Sequence, residues 1–73
     1  MRNLIATLEN IAEVDRDIRE GRIAEIHAAH TVGRGEMSVD RVIDLSSRTK
    51  AAESIGLALF DPGVDAISLT VSP

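Results

Sequence analysis

The chain has no cysteine, no tryptophan and no tyrosine, and Phe60 is its only aromatic residue. Without cysteine it can form neither disulfide bonds nor thiolate zinc sites. Without aromatic side chains it lacks the platforms on which single-stranded nucleic acids stack. Aromatic residues also supply much of the apolar burial in most cores. Any core must therefore be built from leucine, isoleucine, valine and alanine.

Long apolar runs and an excess of positive charge are also missing. Glu9 and Glu13 interrupt the apolar residues near the start of the chain, so we expect no signal peptide. No stretch approaches the roughly 18 apolar residues of a membrane span. The net charge is −4 and the basic residues are dispersed, which leaves no stripe to bind phosphates or anionic lipids. The sequence predicts a cytoplasmic protein with no membrane partner, and nucleic acid is not the expected ligand.

The length of 73 residues predicts one small domain, 1–73. Such a chain buries only about 60% of the surface that its unfolded form exposes, so its core is marginal. Small chains usually need a disulfide, a metal ion or a second chain to complete the core. Aliphatic residues without aromatics suit interlocking helices better than a β-sandwich. We therefore expect a mainly α-helical protein whose core is completed by oligomerisation.

The segment from about residue 3 to residue 31 has the apolar spacing of an amphipathic helix. Its apolar positions fall within a third of a turn of one another at 100° per residue. They are Leu4, Leu8, Ile11, Val14, Ile18, Ile26 and Ala29. Asn3 is the expected N-cap, and Asp15 with Arg19 has the i,i+4 spacing of a helical ion pair.

Gly21 weakens this pattern, because glycine costs about 1 kcal/mol relative to alanine inside a helix. Two interpretations follow: one continuous helix, or two shorter helices that meet near Gly21. The continuous helix is favoured, since Ile26 and Ala29 return to the original apolar stripe.

Residues 32–37 contain the clearest turn signal, Gly33-Arg34-Gly35, because glycines adopt the positive φ angles that end helices. Ser38 is the expected cap of a second helix, 38–60, which Asp61-Pro62-Gly63 stops. The predicted fold is therefore an antiparallel hairpin of two long helices.

The segment 65–72 alternates strictly, with Ile67, Leu69 and Val71 on one side, as a half-buried strand does. No other segment alternates comparably, and an isolated strand leaves its backbone groups unpaired. We expect this strand to pair with its symmetry mate, to pack on the hairpin or to add to a sheet in another protein.

Three groups of residues are candidates for chemical sites. His27 and His30 have a spacing that metal sites use, but structural zinc needs four ligands, so they are interpreted as solvated or helix-end histidines. Gly33-Arg34-Gly35 matches neither the Walker nor the dinucleotide pattern. Ser46 and Ser47 lack the sequence of a nucleophile elbow. The sequence predicts no catalytic site, no metal and no cofactor, and hence a protein that is not an enzyme.

The apolar helical surface is wider than one partner helix can cover, so the leading hypothesis is a homodimer whose hairpins form a four-helix bundle. It would act as a small regulator or adaptor, and the strand could bind a different protein. The predicted partner-binding residues are Val42, Leu45, Ile55, Leu59, Phe60, Ile67, Leu69 and Val71. One alternative is a structural or accessory subunit of a phage particle or of a secretion or flagellar apparatus. A second is a weak DNA-binding regulator with a helix-turn-helix near Gly33.

Overall fold

A computed structural model of the chain describes residues 1–33, 35–61 and 63–72. In these residues, four strands and two α-helices follow one another in the order β-α-β-β-α-β. The strands are β1 Arg2–Ala6, β2 Ile23–Thr31, β3 Gly35–Ser38 and β4 Val64–Val71, and the helices are α1 Ile11–Arg19 and α2 Arg48–Phe60. A 3-10 turn, Val39–Arg41, follows β3.

The predicted mainly α-helical hairpin is wrong, and so is the four-helix bundle built from it. The strands form one antiparallel sheet in the order β1-β4-β2-β3, and both helices are short. The predicted helix 3–31 is divided into β1, α1 and β2, and the predicted helix 38–60 is helical only from Arg48. The predicted turn 32–37 falls at the connection between β2 and β3, where Arg34 lies outside the described residues.

Two β-bulges in β2 explain why this strand resembles a helix in the sequence. Every third residue of β2 opposes every second residue of β4: Ile23 with Val71, Ile26 with Leu69, and Ala29 with Ile67. Ala24 and His27 are the extra residues of the two bulges. Because each bulge adds one residue, the apolar side chains reach the same face of the sheet at a spacing of three. A spacing of three is also helical, which made the prediction of a continuous helix wrong.

Gly21 ends α1 rather than weakening a longer helix. Its φ is 77°, a left-handed conformation that glycine adopts without strain. Its N–H donates to the Ile18 carbonyl at 3.1 Å, as expected just past a helix C-terminus. A helix and a strand meet here, so the alternative of two helices is wrong as well.

The predicted strand 65–72 is confirmed as β4, with Ile67, Leu69 and Val71 buried on one side. The expectation that it needs a partner outside the chain is wrong. β4 lies between β1 and β2 and is hydrogen-bonded along both edges. Neither partner strand alternates cleanly in the sequence, since β1 has only five residues and β2 carries the bulges.

The expected caps also lie elsewhere. Asn3 belongs to β1, and Ser38 precedes the 3-10 turn without a capping hydrogen bond from its side chain. Ser47 caps α2 instead, since its Oγ accepts from the Lys50 N–H at 3.1 Å. The predicted ion pair of Asp15 and Arg19 is confirmed, with 2.9 Å between the carboxylate oxygen and Nε.

Both helices contribute to one apolar core with the sheet. The largest side chains that are fully buried come from α1, α2 and β4: Val14, Ile55, Ile67 and Leu69. The polar side of β4 alternates with this buried side, so Ser68 and Thr70 lie on the opposite face of the sheet. The fold therefore has a helical layer, a sheet, and a sheet face that the described residues leave open.

We predict that Ile67→Ala lowers the free energy of unfolding by about 2–5 kcal/mol, because it leaves a cavity at the centre of the sheet. Ile5→Ala is the control: Ile5 lies on the neighbouring strand but is half exposed, so its loss should cost much less. Urea denaturation monitored by circular dichroism measures both. Equal losses in the two variants would contradict the central position of β4.

We predict that Gly21→Ala costs about 1–2 kcal/mol, because alanine is strained at a positive φ. Gly21→Asn should cost less, since asparagine visits the left-handed region more readily. Either new Cβ meets only the flexible end of the Arg48 side chain, so the comparison isolates the backbone term. Thermal unfolding measures the difference in stability between the two variants. Equal melting temperatures would argue against a left-handed conformation at Gly21.

Candidate interaction surface

The eight predicted partner-binding residues do not lie together. Five of them pack inside the chain: Ile55, Leu59, Ile67, Leu69 and Val71. Val42 is half-buried, whereas Leu45 is 51% and Phe60 is 73% exposed. The exposed members of the predicted set therefore lie on the outer side of α2, at Phe60, and in the loop before α2, at Leu45.

The outer side of α2 is the most exposed apolar surface of a helix in the described residues. Leu57 is 74% exposed, one helical turn before Phe60. A Cβ placed on Gly56 would meet no heavy atom within 4 Å, so the backbone beside these side chains is open. We call this surface the α2 face, and its residues are Lys50, Glu53, Gly56, Leu57, Phe60 and Asp61.

Charges of opposite sign stand at the two ends of the α2 face. At 3.6 residues per turn, Lys50, Leu57 and Asp61 fall on one stripe, because they are separated by seven and four residues. Lys50 lies in the first turn of α2, and Asp61 directly follows the helix. The apolar centre is thus bracketed by one cation and one carboxylate.

A shallow cavity of about 330 Å³ joins the α2 face to Val42. Arg41, Leu57 and Asp61 also line it. In this cavity, Val42 lies next to the α2 face without being completely buried.

Leu45 lies in a loop that hydrogen bonds hold against α2. The Asp44 N–H donates to Ser54 Oγ at 2.9 Å, and the Ser46 N–H donates to Asp44 Oδ1 at 3.0 Å. The Ser46 hydroxyl and then its backbone N–H hold the pKa of the Asp44 carboxyl below its ordinary value, with a smaller contribution from Lys50. The ionised form of Asp44 is therefore the one that fixes the loop.

Since the pKa of Asp44 is lower in the folded chain, its ionisation stabilises the fold above about pH 3.8, and this contribution disappears as the pH falls through the lowered pKa. We predict that Asp44→Asn is less stable than the wild type at pH 7 and that the difference between the two is smaller at pH 3. Urea denaturation at both pH values tests this. Ser46→Ala keeps the backbone donor and should show an intermediate effect, whereas a pH-independent difference for Asp44→Asn would contradict the prediction.

The open face of the sheet carries a polar row across three strands. His27 Nε2 lies 2.5 Å from Thr70 Oγ1, Thr70 Oγ1 lies 3.4 Å from Asn3 Oδ1, and His27 Nδ1 lies 3.6 Å from Glu25 Oε2. A hydroxyl, an imidazole and a carboxylate in this order resemble a hydrolytic triad. The Thr70 hydroxyl has one proton and contacts both the Asn3 amide oxygen and His27 Nε2, and which of them accepts this proton follows from the His27 tautomer.

His30 lies on the same open face, with Nδ1 at 3.7 Å from Glu36 Oε1. Because of the bulge at His27, the two imidazoles occupy different rows of the sheet and have different carboxylate neighbours. Among residues 1–33, 35–61 and 63–72, no group of three or more metal-ligating side chains is placed to hold an ion. His27 and His30 lie on strand β2 and not on the helix that the sequence predicted.

Sequence reasoning missed Leu57, and it placed Gly33 and Gly35 between helices. The run Ile55-Gly56-Leu57-Ala58-Leu59-Phe60 was the available signal for Leu57, since six consecutive small or apolar residues cover all sides of a helix. Gly33 and Gly35 instead lie where β2 passes into β3, so this segment does not join the two helices of a helix-turn-helix.

No protein family, curated protein sequence or solved structure matches this chain. In the described residues, neither α-helix has the length and apolar character needed to cross a membrane.

Proposed function

We propose that this chain is a non-enzymatic protein-protein interaction module, a small homo-oligomeric regulator or adaptor that self-associates through the α2 face. The observation that carries the proposal is the exposure of Leu57 and Phe60, at 74% and 73%, on a helix whose other side is buried in the core. A helix that is apolar on both sides is expected to be covered on both sides. Burial of these two side chains would favour association by about 1.5–3 kcal/mol each.

A second copy of the chain suits the α2 face because the face is self-complementary. A two-fold axis brings the same patch of both subunits together, so every group must find its complement on that patch. In an antiparallel pair of α2 helices, Lys50 of each copy would approach Asp61 of the other. Gly56 lies near the centre of this pairing, and its open backbone allows the two helices to approach closely.

We expect the contact between the two copies to use the helical surface and not the C-terminal strand, β4. β4 is hydrogen-bonded on both edges and its apolar side is buried, so it offers neither a free backbone edge nor its apolar side chains to another chain. A cytoplasmic location is part of the proposal, since a chain without cysteine needs no oxidising compartment.

We expect sedimentation equilibrium to detect a dimer of the wild type at micromolar to submillimolar concentration. Leu57→Glu should weaken the dimer at least tenfold, because it places a carboxylate in the centre of the apolar contact. Leu8→Glu is the matched control, since Leu8 is also a half-exposed leucine but lies outside the α2 face. A monomeric wild type at 500 µM would make the homo-oligomer wrong.

A reversal of charge tests the antiparallel arrangement of the two α2 helices. Lys50→Glu should weaken the dimer about two- to five-fold, the worth of an exposed ion pair, and the loss should shrink at high salt. Arg16→Glu, an equal change of charge on α1, should leave dimerisation unchanged. If both substitutions weaken the dimer equally, net charge and not the Lys50 contact is responsible.

A further inference from the structure

The outer edge of β2 is covered along only part of its length. β3 pairs with Ala28–Thr31, and no other strand in the described ranges pairs with the outer edge of residues 23–27. Unpaired strand edges attract further strands, and proteins usually block them with lysine, proline, β-bulges or a covering segment. This stretch has the bulges at Ala24 and His27, but it has neither lysine nor proline. Glu25 is the one charged residue in this stretch, and the Glu25 carboxylate interacts with His27 Nδ1 on the open face. The edge therefore remains able to accept another strand.

An apolar groove runs beside this free edge. It encloses about 480 Å³ between the start of β2, the end of α1 and the loop before α2. Its lining is polar at Glu25, Ser47 and Arg48 and apolar at Ile18, Ile23, Ala24, Ile26, Leu45 and Ala51. Leu45 is 51% exposed and Ile26 is half-buried, so a side chain from an added strand could cover both.

Arg48 gives the groove a charged end. Its guanidinium lies against the Cα of Gly21, just before β2 begins, and Arg48 also lines the groove. In the described residues, no carboxylate lies within 4.0 Å of it, whereas Arg2, Arg19 and Arg22 each have a carboxylate partner. Arg48 is thus the cation of the groove, and the carboxylate that also lines the groove, Glu25, lies more than 4.0 Å from it and beside His27.

The direction of the sheet fixes which end of an added strand meets Arg48. β3 runs antiparallel to β2, and a segment continuing the line of β3 would run from beside His27 towards Ile23. The C-terminal end of that segment would arrive at Arg48. A chain that terminates beside Arg48 can place its carboxylate against the guanidinium, which lies next to Gly21 at the start of β2.

We infer that this groove binds the extended C-terminus of another protein, which adds to the edge of β2 as an antiparallel strand of four or five residues. Its backbone pairs with Ile23–His27, an apolar side chain packs between Ile26 and Leu45, and its terminal carboxylate binds Arg48. Strand addition combined with carboxylate capture is a known mode of peptide recognition. The inference rests on the proposed adaptor function but not on self-association, because the groove shares no residue with the α2 face.

The test is fluorescence polarisation with a fluorescein-labelled hexapeptide of alternating threonine and leucine, with either a free carboxylate or an amide at its C-terminus. The free acid should bind the wild type with a Kd in the range of about 10–100 µM, and the amide about five-fold more weakly. Arg48→Gln should make the two peptides bind equally. Leu45→Ser should weaken both peptides alike, because it removes apolar contact and leaves the charge. Arg41→Gln, outside the groove, should change neither affinity.

Leu57→Glu separates this inference from the proposed dimer, since a monomeric variant should still bind the free acid with wild-type affinity. Absence of binding at 500 µM peptide, or equal affinity of acid and amide for the wild type, would overturn the inference. It would also be wrong if Leu45→Ser dissolved a dimer of the chain, because the groove would then belong to a second copy.

Discussion

The pairing of β2 with β4 is the interaction on which the rest of the fold depends. β4 is the last strand in the chain, yet it lies between β1 and β2 and closes the sheet over a long sequence separation. Its Ile67, Leu69 and Val71 side chains are buried in one core cluster with residues of both helices. Without β4, β1 has no partner strand in the sheet and the apolar sides of α1 and α2 have no surface to cover. Such non-local pairing must close a long loop before it is stabilised, so the sheet forms cooperatively or not at all.

The bulges in β2 connect this constraint to the surfaces available for binding. They turn Ile23, Ile26 and Ala29 towards the helices although the spacing is three, and they leave His27 beside Thr70 on the open face. Bulges also bend and twist a strand. Because β3 pairs with β2 only beyond the second bulge, the first half of β2 keeps a free edge next to Leu45 and Arg48. The bulges that bring these apolar side chains to the core therefore also shape the groove.

Two physically different surfaces remain after the core has formed. The α2 face is apolar at its centre, with Leu57 and Phe60, and charged at its ends, which favours association with itself. The groove at β2 combines free backbone groups, apolar walls and the Arg48 guanidinium, which favours an extended chain terminus. The open sheet face, by contrast, satisfies its polar groups internally through Thr70, His27 and their neighbours. Both proposed binding surfaces thus consist mainly of the parts of α2 and β2 that the core does not use.

The sequence by itself determined the features that depend on nearby residues: the alternation of β4, the helical spacing of Val14 and Ile18, the ion pair of Asp15 with Arg19, and the end of α2 before Asp61. It could not reveal that Ile26 and Ala29 lie on a strand, because a bulged strand and a helix share the same spacing and only β4, forty residues away, selects between them. The exposure of Phe60 and the burial of Leu59 were likewise decided by the tertiary structure, since an apolar run at the end of a helix does not say which side the sheet will cover.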